Sequence, residues 1–291
     1  MTSSTTTDPT PAAPQRPPIP PGDPSELKCQ CADLWSNPAA QLLLGPALRP
    51  GGEALTSRLL SGCGLRPGAV VVDVGCGPGA TLAAITASGH RGIGVDYSPA
   101  LARAAASPGM PTVVGDAERL PLKEGAADAV VIECVVSALP DKGRALDEVH
   151  RLLRSDGTLI LTDMTLRAEF PEPLNTALAW VACAAGALSA VGYGDLLDAH
   201  GFTVMTAEDR TTDLAAMVAK ARRRLALFRG AAGVGLLPPL EEFIGPDLAA
   251  MAATVLGHTD LNEGARHVLA QVGDAVSDGA MGYVAITATR R

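Results

Sequence analysis

The sequence predicts an α/β protein with a Rossmann-like, doubly wound sheet, for three reasons. Short apolar runs rich in valine and isoleucine alternate with helix-like stretches. A glycine-rich loop follows the first of these runs, and acidic residues end several of them. The chain has 291 residues, of which 47% are hydrophobic and only 3% aromatic. It is therefore long enough for a substantial core, and that core must be mainly aliphatic.

Five apolar runs predict parallel strands that are buried on both faces. They are Ala69–Val74, Gly92–Asp96, Thr112–Asp116, Ala129–Glu133 and Thr158–Asp163. The predicted helices between them are Thr81–Ser88, Pro99–Ser107 and Lys142–Leu153, with a turn at Asp156-Gly157 before the fifth strand. Since strand and helix alternate at short spacing, βαβ units account for the pattern.

The flanking sequence predicts helices around this core. Residues 1–24 are rich in Thr, Ser and Pro and are predicted to be a disordered tail. The predicted domains are an N-terminal helical segment at 25–66, the Rossmann-like core at 67–209, a helical insertion at 210–281 and a last core strand within 282–291. Further predicted elements are a helix at about 173–190, a helix at Gly192–His200, and strands at Phe202–Met205 and Tyr283–Thr287.

Charge and hydropathy exclude several classes of partner. The formal net charge of −8 argues against an electrostatic grip on nucleic acid or on an acidic membrane. No run of 18 apolar residues and no basic-apolar leader is present, so we expect a cytoplasmic protein. In that compartment the six cysteines would stay reduced and serve packing, metalloid binding or redox chemistry.

The segment Val72-Asp73-Val74-Gly75-Cys76-Gly77-Pro78-Gly79 carries the strongest functional signal. It follows a strand and opens a helix. Gly75 and Gly77 allow a sharp turn and a close approach of the backbone to a ligand. The following helix offers free N–H groups. Such a loop suits either a dinucleotide or the amino-acid end of S-adenosylmethionine.

Three acidic residues stand at the carboxyl ends of predicted strands, where open α/β sheets bind their ligands. Asp73 precedes the glycine loop, where its carboxylate would face a cationic ligand group such as an amine. Asp96 ends the second strand, the position at which a carboxylate accepts hydrogen bonds from ribose hydroxyls. Asp116 ends the third strand and is placed to accept from an adenine amino group.

Four motifs in this order are D-V-G-C-G-P-G, G-V-D-Y-S, G-D-A-E-R-L-P-L and L-L-R-S-D-G-T-L. Over about residues 55–165 they closely resemble the UbiE-like branch of the class I S-adenosylmethionine-dependent methyltransferases. The resemblance implies methionine contacts from the glycines, ribose contacts from Asp96 and adenine contacts from Asp116 with Ala117. The predicted cofactor-binding residues are Asp73, Gly75, Cys76, Gly77, Gly79, Asp96, Tyr97, Ser98, Asp116, Ala117 and Glu133.

A dinucleotide oxidoreductase is the alternative for the loop, and two observations disfavour it. The loop is shorter than G-x-G-x-x-G requires, and Asp116 would have no role.

The cysteines point to the acceptor. Cys134 directly follows the fourth strand, and Cys183 lies on the helix predicted after the fifth. Their contexts, I-E-C-V-V-S-A-L-P-D-K and C-A-A-G-A-L, resemble segments of the arsenite methyltransferases, whose thiols hold trivalent arsenic. Thiolates suit such a thiophilic ion. Cys29 and Cys31 are candidates for a third thiol or a reducing pair, and glutathione or another thiol is a candidate reductant.

Three functions stay open at this point. The first is methylation of a thiol-bound metalloid such as arsenite, with Cys134 and Cys183 as its ligands. The second is methylation of carbon, oxygen or nitrogen in a small natural product. The third is a non-catalytic sensor that binds S-adenosylmethionine. In the first two, the predicted insertion and the helix at 173–190 would cover the site and exclude water.

Overall fold

The computed structural model describes most of the chain. The described residues are 23–36, 45, 47–107, 109–167, 184, 186–240, 242, 245, 246, 249 and 260–291. The predicted helix at 173–190 lies largely outside them, together with Cys183, as does the predicted tail up to residue 22. None of the helices in these ranges is long and apolar enough to cross a membrane.

Seven strands form one sheet. They are β1 (Val70–Val74), β2 (Arg91–Asp96), β3 (Thr112–Val114), β4 (Ala127–Glu133), β5 (Leu153–Leu166), β6 (Phe202–Asp209) and β7 (Met281–Arg290). Their order is β3-β2-β1-β4-β5-β7-β6. The five strands predicted for the core are present, and their parallel pairing is as predicted.

The sheet as a whole is mixed, because its last strand runs opposite to its neighbours. β7 lies between β5 and β6 and is antiparallel to both, with Ile286 opposite Leu161 on one side and Ala207 on the other. The predicted turn at Asp156 lies within β5, where Asp156 takes a left-handed φ of 59°. The pairing of β4 with β5 shifts register there, so β5 begins earlier than predicted.

The helices occupy the positions that the sequence suggested, with small shifts at their ends. They are α1 (Pro24–Ser36), α2 (Gly52–Gly62), α3 (Ala80–Ala87), α4 (Pro99–Ala105), α5 (Lys142–Leu152), α6 (Ala190–Ala199), α7 (Thr211–Gly233) and α8 (Leu261–Ser277). A 3₁₀ helix, Val136–Ala138, follows β4. Within the predicted insertion, α7 and α8 pack on each other and on β7. Residue 24, the last residue of the predicted tail, is the first residue of α1.

Local sequence explains how the helices at the strand ends begin. Ser98 caps α4 by accepting a hydrogen bond from the backbone N–H of Leu101, and Pro99 occupies the first turn. Asp141 caps α5 in the same way through the N–H of Arg144. Ser98 follows closely after the end of β2, and Asp141 ends the loop that follows β4, so the two caps fix where these loops turn into helices.

Two aliphatic clusters cover the two faces of the sheet. On one face, Val71 and Val131 pack with side chains of α2, α3 and α7. On the other, Val130 and Ile132 pack with side chains of α5 and α6. Every residue of β4 is buried, as expected for a central strand with helices on both sides. This rigid strand ends at Glu133, where the candidate site begins.

Candidate functional site

The glycine loop between β1 and α3 takes a left-handed backbone at three positions. The φ angles are 76° at Gly75, 51° at Gly77 and 95° at Gly79. A Cβ at Gly75 would lie 2.4 Å from Val135 Cγ2, so this position needs glycine for its space as well as its backbone. A Cβ at Gly77 would meet nothing within 4 Å. The loop therefore presents bare backbone beside open space.

Asp96 braces this loop from the end of β2. Its Oδ2 accepts a hydrogen bond from the N–H of Gly77 at 2.8 Å, and its Oδ1 accepts one from the N–H of Ser98 at 2.8 Å. Burial raises the pKa of Asp96, although the two N–H groups oppose that rise. Each oxygen keeps a lone pair, so the carboxylate can accept further bonds from a ligand on the cavity side.

Asp116 stands at the end of the third parallel run, beyond β3. Its Oδ1 accepts from the N–H of Glu118 at 2.9 Å. Its Oδ2 accepts from Lys28 Nζ at 2.8 Å, and the same Nζ lies 2.7 Å from Glu118 Oε2. Lys28 belongs to α1, so a helix from outside the core contacts one of the predicted cofactor residues.

Asp73 is the most unusual of the three carboxylates. Its side chain is 2% exposed, and its Oδ2 has no hydrogen-bond partner in the described part of the protein. Burial raises the pKa of Asp73 well above its ordinary value, the negative charge of Glu133 adds to the rise, and the positive charge of Arg49 opposes it. A buried acceptor without a partner is unfavourable unless a ligand completes it.

Glu133 was predicted to contact the cofactor. In the structure, both oxygens of its carboxylate contact protein side chains. Thr56 Oγ1 lies 3.0 Å from Oε1, and Thr81 Oγ1 donates to Oε2 at 2.8 Å. Arg49 Nε lies 2.9 Å from Oε2. Glu133 still borders the cavity, but Arg49, Thr56 and Thr81 already neutralise and orient its carboxylate. A direct cofactor contact by Glu133 stays a prediction.

A cavity of about 160 Å³, partly open to solvent, lies over the carboxyl ends of β1, β2 and β4. Its lining joins predicted cofactor residues to residues of α1 and of the loop after β4. The lining residues are Lys28, Cys31, Ala32, Trp35, Leu48, Val74, Gly75, Val95, Asp96, Tyr97, Leu101, Gly115, Asp116, Ala117, Glu133, Cys134, Val135, Ala138 and Leu139.

Two thiols face this cavity. Cys134 has a left-handed φ of 55°, its N–H donates to the carbonyl of Thr162 at 2.8 Å, and its Sγ lies 3.4 Å from Tyr283 Oη. Burial raises the pKa of Cys134 well above its ordinary range and that of Cys31 to about 12. Both groups are therefore thiols at neutral pH until a ligand displaces their protons.

The other cysteines do not join them. Cys29 is exposed and Cys31 borders the cavity, so the structure separates the two members of the predicted thiol pair. Positions i and i+2 of a helix point to different sides. Cys63 donates to the carbonyl of Leu59 at 3.1 Å, and Cys76, which was predicted as a cofactor residue, is buried in the core. Within the described ranges, no three His, Cys, Asp or Glu side chains are grouped to hold a metal ion.

A buried polar network supports the loop after β4, and the sequence analysis missed it. Asp163 accepts from Ser137 through the backbone N–H at 2.8 Å and through Oγ at 2.5 Å. Lys142 Nζ donates to the carbonyls of Ser137 and Leu139. Burial raises the pKa of Asp163 to about 6, against its hydrogen bonds with Ser137 and Met164 and the charge of Lys142. The network fixes the loop whose apolar residues border the cavity.

Comparison with known proteins identifies the core. Residues 72–161 match the family model described as a methyltransferase domain. An arsenite methyltransferase of Halobacterium salinarum is 30% identical over 160 residues, covering 48% of this chain and 41% of that protein. A demethylmenaquinone methyltransferase of Mycolicibacterium paratuberculosis is 32% identical over 121 residues, covering 42% of this chain and 50% of that protein. The matches thus span half or less of these curated relatives.

Solved structures share the whole fold at low sequence identity. Mycolic acid cyclopropane synthase CmaA1, complexed with SAH, has a TM-score of 0.69 at 17% identity and covers 92% of this chain and 99% of its own. The [4+2]-cyclase SpnF has a TM-score of 0.68 at 19% identity, covering 94% and 98%. These structures confirm the predicted Rossmann-like fold, and the family model and the two relatives confirm that the core resembles methyltransferases.

Proposed function

We propose that the chain, whose residues 72–161 carry a methyltransferase domain, transfers a methyl group from S-adenosylmethionine to a small acceptor. One observation carries the proposal. The glycine loop, Asp96 and Asp116 border a single cavity at the carboxyl ends of parallel strands, where such sheets bind their ligands.

The residues present fit this cofactor. S-adenosylmethionine is a cation overall, with a sulfonium, an ammonium and a carboxylate, and the buried Asp73 offers an acceptor without a partner. Gly77, whose Cβ position faces open space, leaves room for the methionine end. Asp96 would hold the ribose, and Asp116 with Ala117 the adenine. The cofactor supplies an electrophilic methyl group.

The chain's own contribution is to align an acceptor and keep the site dry. Val135, Ala138 and Leu139 form an apolar wall next to Cys134. The carboxylates of Asp96 and Asp116 are occupied by N–H and ammonium donors, so proton transfer is not their role. Alignment and exclusion of water are sufficient for a nucleophile with a free lone pair.

Arsenite is the acceptor that the thiols favour. Cys31 and Cys134 border the same cavity, and trivalent arsenic is thiophilic. Each thiol proton leaves as water with an arsenic-bound hydroxide when an As–S bond forms, so the raised pKa values are no obstacle. The arsenic lone pair would then form an As–C bond to the methyl group while the S–CH₃ bond breaks, so that S-adenosylhomocysteine leaves and arsenic becomes pentavalent. We retain Cys183 as a proposed further ligand and glutathione as the proposed thiol reductant.

A small organic acceptor is the second candidate, and the cavity wall supports it. Trp35, Leu48, Leu101 and Leu139 present apolar surface to the cavity, whereas the two thiols are its only sulfur groups among the residues that line it. In this case a carbon, oxygen or nitrogen atom would take the methyl group, and the thiols would serve only packing.

Mass spectrometry of methylated arsenic decides between the two acceptors. The assay contains S-adenosylmethionine, glutathione and arsenite, and compares wild type with Cys134→Ser, Cys31→Ser and the packing control Cys63→Ser. We expect product from wild type and Cys63→Ser, and at least a tenfold loss (~1.4 kcal/mol) in the other two. Cofactor binding is measured in parallel by calorimetry.

The outcomes are separable. Cofactor binding without methylated arsenic from wild type would exclude arsenite and favour an organic acceptor. Absence of cofactor binding would contradict the proposed activity itself. A non-catalytic sensor predicts binding with no product from any acceptor.

A further inference from the structure

Helix α1 covers the cofactor end of the cavity. Four of its residues, Lys28, Cys31, Ala32 and Trp35, line the same cavity as the ribose and adenine residues of the core. Burial raises the pKa of Cys31 and the negative charge of Asp96 adds to the rise, so this cavity-lining thiol lies near the proposed ribose position. Apart from these contacts, α1 touches the core mainly at α4. Few residues therefore hold α1 in place over the cavity.

One ion-paired side chain joins α1 to the adenine end. Lys28 Nζ lies 2.8 Å from Asp116 Oδ2 and 2.7 Å from Glu118 Oε2. Only 12% of the Lys28 side chain and 13% of the Glu118 side chain are exposed, so solvent screens this group less than an ordinary surface pair. Burial lowers the pKa of Lys28, but the hydrogen bonds with both carboxylates outweigh it and raise the pKa.

The two carboxylates have different relations to the cavity. Asp116 borders it, whereas Glu118 is not among its lining residues. Glu118 is anchored behind the wall, where its Oε1 accepts from the N–H of Asp141 at 2.9 Å. Arg144 Nε donates to the carbonyl of Glu118 at 2.9 Å. Lys28 thus connects α1 to Glu118, an anchored residue that does not line the cavity in which the cofactor would bind.

We infer that Lys28 is a positioning residue that holds α1 closed over the adenine end of the cofactor. The inference rests on the proposed function, because it assigns α1 to the same site. Lys28 orients Asp116 from one side while its second bond, to Glu118, keeps the helix docked. We call Lys28 with Asp116 and Glu118 the latch. Because the latch holds α1 over the cofactor, it controls the rate at which the cofactor leaves and enters the site.

The test uses S-adenosylhomocysteine as the probe and Trp35 as the reporter. Trp180→Phe removes the only other tryptophan of the sequence and serves as the parent. In stopped-flow displacement, Lys28→Met and Glu118→Gln are each expected to release the probe about tenfold faster than the parent. Glu118→Gln is the decisive variant, because it weakens the latch without changing a cavity-lining residue. Lys123→Met, at an exposed lysine, is the matched control.

Hydrogen exchange without ligand gives a second readout. Amides of residues 24–36 are expected to exchange about tenfold faster in both variants than in the parent, while those of β1 and β4 stay unchanged. Unchanged release and unchanged exchange in Glu118→Gln would overturn the inference. If the parent binds no probe, the proposed function fails, and the exchange rates of α1 still show whether Lys28 holds the helix.

Discussion

At the scale of single residues, Asp73 shows a conflict between stability and binding. Its carboxylate is buried, lacks a partner at Oδ2 and lies near a second carboxylate, Glu133. Each of these conditions disfavours the charged form. Proteins keep such groups where a ligand needs them, at the expense of the free protein's stability.

We expect Asp73→Asn to stabilise the ligand-free protein at pH 7 and to weaken binding of S-adenosylmethionine at least about tenfold. The amide removes an unfavourable buried charge but cannot pair with an ammonium group. Urea unfolding measures the first effect and calorimetry the second. Asp195→Asn, at an exposed position of α6, should change neither. Lower stability together with unchanged affinity would contradict the role given to Asp73.

Local patterns were sufficient to find Asp96 and Asp116, because each stands directly after an apolar run. They were not sufficient for Lys28, which lies 88 residues from its partner Asp116 in a segment without a motif. Arg49 was missed for the same reason: its contact with Glu133 exists only once the fold brings the two together. The separation of Cys29 from Cys31 follows from helix geometry and was predictable once α1 was known.

At the scale of elements, three pieces of chain converge on the end of β4. Arg49 precedes α2, Thr56 lies within α2 and Thr81 within α3, and all three contact the Glu133 carboxylate. Arg49 also donates through one terminal nitrogen to Thr56 at 2.6 Å. This cluster fixes the N-terminal segment to the sheet beside the cavity.

Removing Arg49 would leave a buried, uncompensated carboxylate. We expect Arg49→Met to lower the free energy of unfolding by ~3–5 kcal/mol, and the double variant with Glu133→Gln to recover much of that loss. Urea unfolding of the four proteins gives the coupling energy. Arg58→Met breaks the exposed pair with Glu208 and should lower stability by less than ~1 kcal/mol. Equal losses in the two single arginine variants would contradict the expectation.

The periodic pattern predicted strands and helices well, and pairing less well. An apolar run defines a strand, but the position of β7 between β5 and β6 depends on pairing between residues far apart in the chain, such as Ile286 with Leu161 and with Ala207. The early start of β5 arises because the backbone resumes pairing with β4 before the turn at Asp156. No local signal separates that turn from an ordinary loop.

At the scale of the molecule, burial shifts the pKa values of several carboxyl groups in the same direction. The pKa values of Asp73, Asp96 and Asp163 are all raised, mainly by burial. The folded state therefore binds more protons than the unfolded chain over the range between the unfolded and folded pKa values. Stability must then fall as pH rises through that range.

For Asp163 the range runs from its ordinary pKa of 3.8 to about 6, which is equivalent to ~3 kcal/mol. We expect the unfolding free energy of wild type to fall relative to that of Asp163→Asn by this order as the pH is raised from 4 to 7. Below about pH 4 the unfolding free energy of both proteins falls as the pH is lowered, because the pKa values of Asp128 and Glu208 are lowered in the folded state. Urea unfolding across the series measures the difference, with the exposed Asp274→Asn as control. A difference independent of pH would disprove the assignment to Asp163.

The position of β7 has a consequence for how the chain folds during synthesis. β6 is made about seventy residues before β7, yet among the described strands β7 is the one that pairs with it. Until β7 emerges, β5 and β6 both present unpaired backbone edges, which favour association with other chains. The helices α7 and α8 are synthesised during this interval, and they can cover the unpaired edges of β5 and β6 until β7 emerges. Ribosome-bound chains that stop before residue 281 should therefore be the species most in need of chaperones.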